Sequence, residues 1–423
     1  MLASRASDGR TLSAHDVRGT TADAFARLDL DGQRVLVVIP DGTRTMPMPL
    51  MFATLQELAA ERTAALDFLV ALGTHQSMSD AQLSRHVGQP VVDGRAGRSR
   101  ILNHRWEDRS TFVTIGTIPA AEIRALTAGR FARPVAVSLN RTIFEYDHLV
   151  ICGPVFPHEV AGFSGGTKYL FPGIAGPDII DFTHWLGAVI TSVEVIGTMN
   201  TPVRAVIDRA ARFVDRPTTC ISLVVTREGV EGLFIGELDE AWRAAAMLSA
   251  RRHVVYLDAP VRRVISVVPP MYDDLWTAAK GMYKLEPVVA DGGELIIYGP
   301  HITEVSHTHG AVLDEIGYHC RDYFLAQWER FGGRAGCVLA HSTHLKGAGR
   351  YDAGTGEEQP RIAVTLATGI SRERCERVNL GYRDPATVRF AEGGLDGEGD
   401  VLVVHRAGEV LYRLRDPLAG AIG

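Results

Sequence analysis

Gln33–Pro40 reads QRVLVVIP, and Asp41-Gly42-Thr43-Arg44 follows it directly. The apolar run Val35–Ile39 is continuous rather than alternating, the pattern of a strand covered on both faces of a sheet. A second run of this kind, ALDFLVALG at 65–73, ends in Thr74-His75-Gln76. A third, YDHLVICGPVF at 146–156, leads into His158. Between the first two, residues 49–62 carry apolar side chains at helical spacing. Ser79 and Asp80 form a cap for a short helix through His86. RSRILNHR, STFVTIG and PVAVSLN are further strand candidates, and residues 119–131 are helical with Pro119 at the start. Strands alternate with helices, so the expected class is α/β with largely parallel sheets.

A chain of 423 residues is long for one domain. A boundary is expected near Tyr256–Val261, dividing the chain into an N-terminal α/β cofactor-binding and catalytic domain, 1–258, and a C-terminal α/β domain, 259–423. The second would contribute substrate contacts, with the active site in the cleft between the two. In the first half ISLVVTR is another strand and residues 239–252 form an amphipathic helix. In the second, RVISVVPP, GGELIIYG and GCVLAH read as strands between helices, and VLVVHRAGEVLYRL as a meander-like tail.

Net charge is −6 and no basic run tracks a phosphate backbone, which speaks against nucleic acid. No apolar run reaches the roughly 18 residues that span a bilayer. MLASRASDGRTLSAHD at the start lacks the apolar core of a secretory signal, so the expected location is the cytoplasm. The five cysteines are scattered and form no C-x-x-C, as expected of free, mostly buried thiols rather than a zinc ribbon or an iron–sulfur site.

In open α/β sheets ligands gather at the carboxyl ends of the strands. Asp41–Arg44, His75 and His158 each follow such an end. Arg44 there suits a carboxylate or phosphate, although Asp-Gly is also an ordinary turn. A histidine titrating near about 6.5 can both take and give a proton at neutral pH. From Phe156 the chain runs FPHEVAGFSGGTKYLFPGIAGPDIIDFTHWLGA, the densest mixture of glycine with reactive side chains in the sequence. Gly165-Gly166-Thr167-Lys168 could let backbone N–H groups approach a phosphate, yet the P-loop spacing is not met. His184 falls on a helix begun near Pro177-Asp178, sharing a face with Ile180 and Ala188, as a metal ligand or a core histidine would. In the second half Lys280 is either a surface helix residue or an anion contact. His301, Glu304, His307 and His309 are metal-ligand types without a further supporting set. No G-x-S-x-G elbow is present.

Together these motifs resemble the nickel-dependent lactate racemase family. The resemblance rests on DGTR at 41–44, GTHQ at 73–76, and the block from His158 through Ser164-Gly165-Gly166-Thr167-Lys168 and Pro172-Gly173 to His184, with Lys280 beyond. The spacing is ten residues from His158 to Lys168 and sixteen more to His184. The resemblance implies a nickel-pincer nucleotide, a nickel(II) pyridinium bisthiocarboxylic acid mononucleotide, joined covalently to Lys168 through a thioamide. His184 would be the protein ligand to nickel, a sensible partner for sulfur donors in a planar site. Asp41, Gly42, Thr43 and Arg44 would contact cofactor and substrate, Lys280 and Arg44 the substrate carboxylate, and His75 and His158 would be the acid/base pair. The activity implied is racemisation or epimerisation of a 2-hydroxy acid by hydride transfer to and from the cofactor, with the cofactor-making enzymes as partners. Where lactate racemase has a substrate-contacting glutamine, three residues before the lysine, this chain has Thr277. That departure leaves room for a larger aliphatic or sugar acid. Two other readings compete: a phosphate- or nucleotide-dependent transferase built on the glycine-rich lysine loop, and a non-catalytic carrier of the pincer nucleotide.

Overall fold

The computed structural model describes residues 1–7, 9–389, 394–395 and 400–415. The last residues of the expected C-terminal domain, 416–423, lie outside the described residues. The chain forms two compact units. The first comprises Met1–Phe156, Phe163–Thr183 and Met199–Arg252; the second comprises Pro157–Gly162, His184–Thr198 and the chain from His253 onward.

The first unit is built on an eight-stranded sheet. Five central strands are parallel neighbours in the order Thr218–Val225, His148–Pro154, Arg34–Ile39, Ala65–Val70 and Ser99–Asn103. Antiparallel strands Val230–Gly236 and Ala3–Ala6 extend one edge, and Arg95–Ala96 the other. Val37 pairs with both Phe68 and Val150 and is fully buried, as are Val35, Leu36, Val38 and Ile39. Burial on both faces is why this run is apolar without alternation. Helix Met48–Ala59 covers the sheet through Met51, Phe52 and Leu55. Helix Asp80–Val87 starts at a capping box of Ser79 with Gln82.

The second unit has a six-stranded sheet in the order Gly381–Tyr382, Ala363–Thr368, Val289–Gly299, Val261–Val267, Val401–His405, Gly394–Leu395, parallel except for the last pair. Two expectations fail here. GCVLAH is not a strand but the start of helix Gly336–Lys346, in which every residue from Gly336 to Leu345 is buried. A helix buried all round shows no 3.6-residue period, so its short apolar run imitates a strand. The tail is not a meander either. Val401–His405 joins the main sheet parallel to Val261–Val267, while Leu411–Leu414 pairs parallel with Val254–Leu257 in a separate ribbon. Among the described residues no helix is long and apolar enough to cross a membrane.

Candidate active site

In the first unit the expected residues converge at the carboxyl edge of the parallel strands. The chain leaving Ile39 turns at Asp41, whose Oδ1 accepts the Thr43 N–H at 2.9 Å and the Thr43 hydroxyl at 2.6 Å. This is an Asx-type turn, so the aspartate fixes its own loop. Its other oxygen, Oδ2, lies 2.6 Å from Nδ1 of His75, which leaves the neighbouring strand. Asp41 is 6% exposed. Burial alone would raise its pKa, but the charge and hydrogen bond of His75, then Arg44 and Thr43, hold it well below the usual carboxylate range. Asp41 is therefore an anion, and His75 Nδ1 carries the proton between them. Nε2 of a neutral His75 is then a bare lone pair, the state a general base requires. Trp106 Nε1 donates to the His75 carbonyl at 2.9 Å and steadies the loop. Arg44 donates to the Thr43 hydroxyl at 2.8 Å and lies over the Phe156 ring. Gly42 occupies the turn with the Met78 methyl at ordinary contact distance from where a side chain would start.

Lys168 belongs to the same unit and is half-buried on the short turn Gly166–Tyr169. Backbone bonds join this turn to the His75 loop: Gly73 N–H donates to Gly173 O at 2.9 Å, and Gly173 N–H to Lys168 O at 3.1 Å. Gly165 and Gly166 both have positive φ, and an added Cβ would meet Val155 at 2.6 Å and Trp242 at 2.9 Å. The glycines are thus demanded by packing as well as by backbone shape. Arg204 holds the loop from beneath. It is buried, stacked 4.1 Å from the Trp242 ring centroid, and donates to Thr167 Oγ1 at 3.1 Å, to Gly165 O at 3.4 Å and to Phe163 O. Trp242 Nε1 donates to Ser164 O at 2.8 Å, and Thr167 to Asp208 at 2.6 Å. Sequence reasoning missed Arg204, Asp208 and Trp242; nothing local marks residues whose partners lie so far along the chain.

The second unit holds the remaining residues. His158 is buried, and the Val160 N–H donates to its Nδ1 at 3.1 Å. A neutral His158 thus carries its proton on Nε2, the opposite tautomer to His75. Glu159 Oε2 lies 3.4 Å from the same Nδ1 and would stabilise the ring when charged. His184 is half-buried on helix Pro177–Ile190, with Ile180 and Ala188 buried on the same stripe. Its helix neighbour Trp185 stacks on Trp328 with centroids 5.3 Å apart. Lys280 is buried, with Nζ 4.7 Å from the Tyr272 ring centroid. The Thr277 N–H and hydroxyl both donate to Asp274 Oδ1 at 2.9 Å, capping helix Leu275–Ala278. The hydroxyl proposed for substrate contact thus already has a local acceptor.

His301 Nε2 lies 3.1 Å from the Tyr272 carbonyl, Glu304 pairs with Arg374, and the His309 ring packs on Trp276. These three are engaged with different partners, and among the described residues none of them joins His307 in a set of ligand atoms. Asp273, Asp274 and His307 do bring ligand atoms within 4.8 Å of one another, but the Asp274 carboxylate already accepts the Thr277 and His307 N–H groups. The five cysteines are free and buried.

The chain matches the lactate racemase N-terminal domain over residues 18–196. It is 24% identical over 284 residues to the lactate racemase of Lactiplantibacillus plantarum, covering 65% of this chain and 62% of that one. It is 22% identical over 271 residues to the lactate racemase of Thermoanaerobacterium thermosaccharolyticum, covering 63% and 59%. The match thus spans about 60% of the length of these curated relatives. A crystal structure of a Thermotoga maritima protein superimposes with TM-score 0.89 at 31% identity, covering 97% of this chain and all of that one. The lactate racemase apoprotein from T. thermosaccharolyticum shares the fold, with TM-score 0.69 at 18% identity over 96% and 94% of the two chains.

Proposed function

From the match to the lactate racemase N-terminal domain and the similarity to two lactate racemases, we propose that the chain is an isomerase of the lactate racemase family that inverts the configuration of a 2-hydroxy acid with a nickel-pincer nucleotide held on Lys168. The observation that carries the reading is the buried Asp41–His75 pair, a carboxylate 2.6 Å from an imidazole beside an arginine. It is the apparatus of a general base next to an anion contact.

The residues fit the cofactor. Lys168 presents a primary amine from a turn braced by Arg204, and it is half-buried rather than enclosed. His184 offers an imidazole, a donor suited to nickel beside sulfur. Its electrostatic neighbours His341 and His344 are kept neutral by burial, so neither adds positive charge against a cation. When bound, the group would supply a hydride acceptor and donor for the carbon-bound hydrogen of the substrate.

The chain's own side chains do the rest. Arg44 and Lys280 bind the substrate carboxylate. His75 takes the hydroxyl proton at Nε2, and the Asp41 carboxylate balances the charge that appears on the ring. His158 in its doubly protonated form, whose Nδ1 faces Glu159, gives its Nε2 proton to the substrate oxygen on the opposite enantiomer's path and is left neutral. The protons on the two histidines re-equilibrate with solvent between turnovers. Two histidines are needed because the two enantiomers present their hydroxyls differently. The reading implies dependence on the cofactor-making enzymes and a cytoplasmic setting. The transferase alternative is disfavoured because Gly165 and Gly166 are explained by packing on Val155 and Trp242. A passive carrier would have no use for an ionised Asp41 on His75.

His75→Ala and His158→Ala, each purified with the cofactor loaded, test the assignment. Each is expected to lower racemisation at least about a hundredfold while nickel content is retained. Full activity in both variants would remove the acid/base roles.

A further inference from the structure

Four buried polar atoms in the second unit have no hydrogen-bond partner among the described residues: Nδ1 of His341, Oγ1 of Thr343, Nε2 of His344 and the Tyr318 hydroxyl. Three sit on helix Gly336–Lys346, and the Tyr318 ring lies 5.8 Å from that of His341. A buried polar atom without a partner is costly and asks for an explanation. His341 and His344 share a helical face and Tyr318 adjoins His341, and this cluster asks for a ligand, whereas Thr343 faces about 200° away from His341 on the helix. The cluster adjoins a proposed anion contact along the chain. The His341 ring stacks on Trp276 with centroids 4.1 Å apart and planes 9° from parallel. Trp276 stands four residues before Lys280. His184 and His344 are both within electrostatic reach of His341, and His344 is also within reach of Glu159.

The His341 geometry says what the ligand must offer. Its Nε2 lies 3.1 Å from the Trp276 carbonyl oxygen, which can only accept. Nε2 therefore carries the ring proton and Nδ1 is a bare acceptor. Burial keeps the ring from taking a second proton, pushing its pKa down to about 3. A buried acceptor is satisfied by a donor. A methyl group leaves it unpaired, a carboxylate opposes it with another acceptor, and a hydroxyl completes it.

We propose that His341, on the helix that also carries Thr343 and His344, reads a hydroxyl on the substrate beyond the 2-position, so that the preferred substrates are 2,3-dihydroxy and longer polyhydroxy acids rather than lactate. This rests on the 2-hydroxy acid reading above and names the substrate class within it. A site built to bond a hydroxyl discriminates against the analogue that lacks it, because its own buried group is then left unpaired.

The test is a panel of lactate, glycerate, malate and gluconate given to the cofactor-loaded enzyme, with kcat/KM for racemisation or epimerisation of each and calorimetric binding of glycerate and lactate alongside. Glycerate is lactate with one added hydroxyl and isolates the group in question. The wild-type enzyme is expected to prefer glycerate to lactate by at least about tenfold in both measurements, with malate poorer than glycerate. His341→Phe keeps an aromatic ring against Trp276 and has no acceptor in place of Nδ1; it is expected to bring the glycerate-to-lactate ratio close to one, chiefly by losing glycerate. Equal wild-type kcat/KM for lactate and glycerate overturns the inference and leaves the racemase reading standing, and needs no variant. An unchanged ratio in folded His341→Phe overturns it as well. Turnover of none of the four acids by nickel-loaded protein overturns the racemase reading and this inference with it.

Discussion

Replacing Asp41 by asparagine exchanges one carboxylate oxygen for an amide nitrogen at nearly constant volume. If the amide nitrogen faces His75, it donates to Nδ1 and forces the ring proton onto Nε2, abolishing the base. If the amide oxygen faces His75, the tautomer survives but the negative charge that supports a protonated ring is gone. Either way kcat is expected to fall by about a hundredfold or more, with a smaller change in KM, measured by racemisation under saturating substrate. Stability follows a sign that can be worked out. Asp41 has a folded pKa held well below its unfolded value of about 3.9. Its ionisation contributes stability present above that unfolded value and lost as pH falls through the folded one. Urea unfolding of wild type and Asp41→Asn from pH 7 to pH 3 should therefore show a gap that is steady at neutral pH and narrows below about pH 4. A gap independent of pH over that range would contradict the ionised, paired state of Asp41. The residue types and their strand-end position were legible in the sequence. The pairing was not, because Asp41 and His75 meet through adjacent strands rather than along the chain.

The lysine turn is an element whose shape is set from outside itself. Arg204 bonds three of its groups and stacks on Trp242, and Trp242 in turn bonds Ser164. Arg204→Met would keep much of the buried volume and leave those acceptors unsatisfied, and should destabilise the protein by about 2–4 kcal/mol in chemical denaturation. Gly166→Ala adds a methyl 2.9 Å from Trp242 at a positive φ and should cost about 1–3 kcal/mol, with poorer loading of Lys168. A shorter element gives a contrasting case. Helix Leu275–Ala278 begins at Asp274, whose carboxylate caps it and also takes the His307 N–H. Asp274→Ala should cost about 1–2 kcal/mol and raise KM by loosening the segment that leads to Lys280. At this scale the sequence was readable wherever burial was periodic or two-sided within a sheet, as at Arg34–Ile39 and in the capped helix after Ser79. It misled at Gly336–Lys346, where burial on every side erased the period. The histidines of that helix were therefore overlooked as a group, although His341 and His344 stand three apart on one helical face.

The two units do not follow the order of the sequence. Pro157–Gly162 and His184–Thr198 lie in the first half of the chain yet group with the second unit, carrying His158 and His184 with them. No local signal announces this, because the grouping is fixed by contacts such as Trp185 on Trp328 and the Arg321 bond to the Val189 carbonyl at 3.0 Å. What the sequence did carry was the set of reactive residues and its spacing, since those are properties of the chain itself. Lys168 lies in the first unit and His184 in the second, and the two proposed roles, covalent anchor and metal ligand, can be tested separately. Protein co-produced with the cofactor-making enzymes should show an intact-mass increase that maps to Lys168 and about one nickel per chain. Lys168→Ala should lose the mass increase. His184→Ala should keep the mass increase and lose most of the nickel, because removing a metal donor would weaken nickel binding without touching the covalent bond. Both variants change half-buried side chains on otherwise intact elements, so the thermal unfolding midpoint should stay within a few degrees of wild type. Nickel retained in full by His184→Ala would move the metal ligand elsewhere, and an unmodified Lys168 in a preparation where a known family member is loaded would remove the tether on which the reading depends.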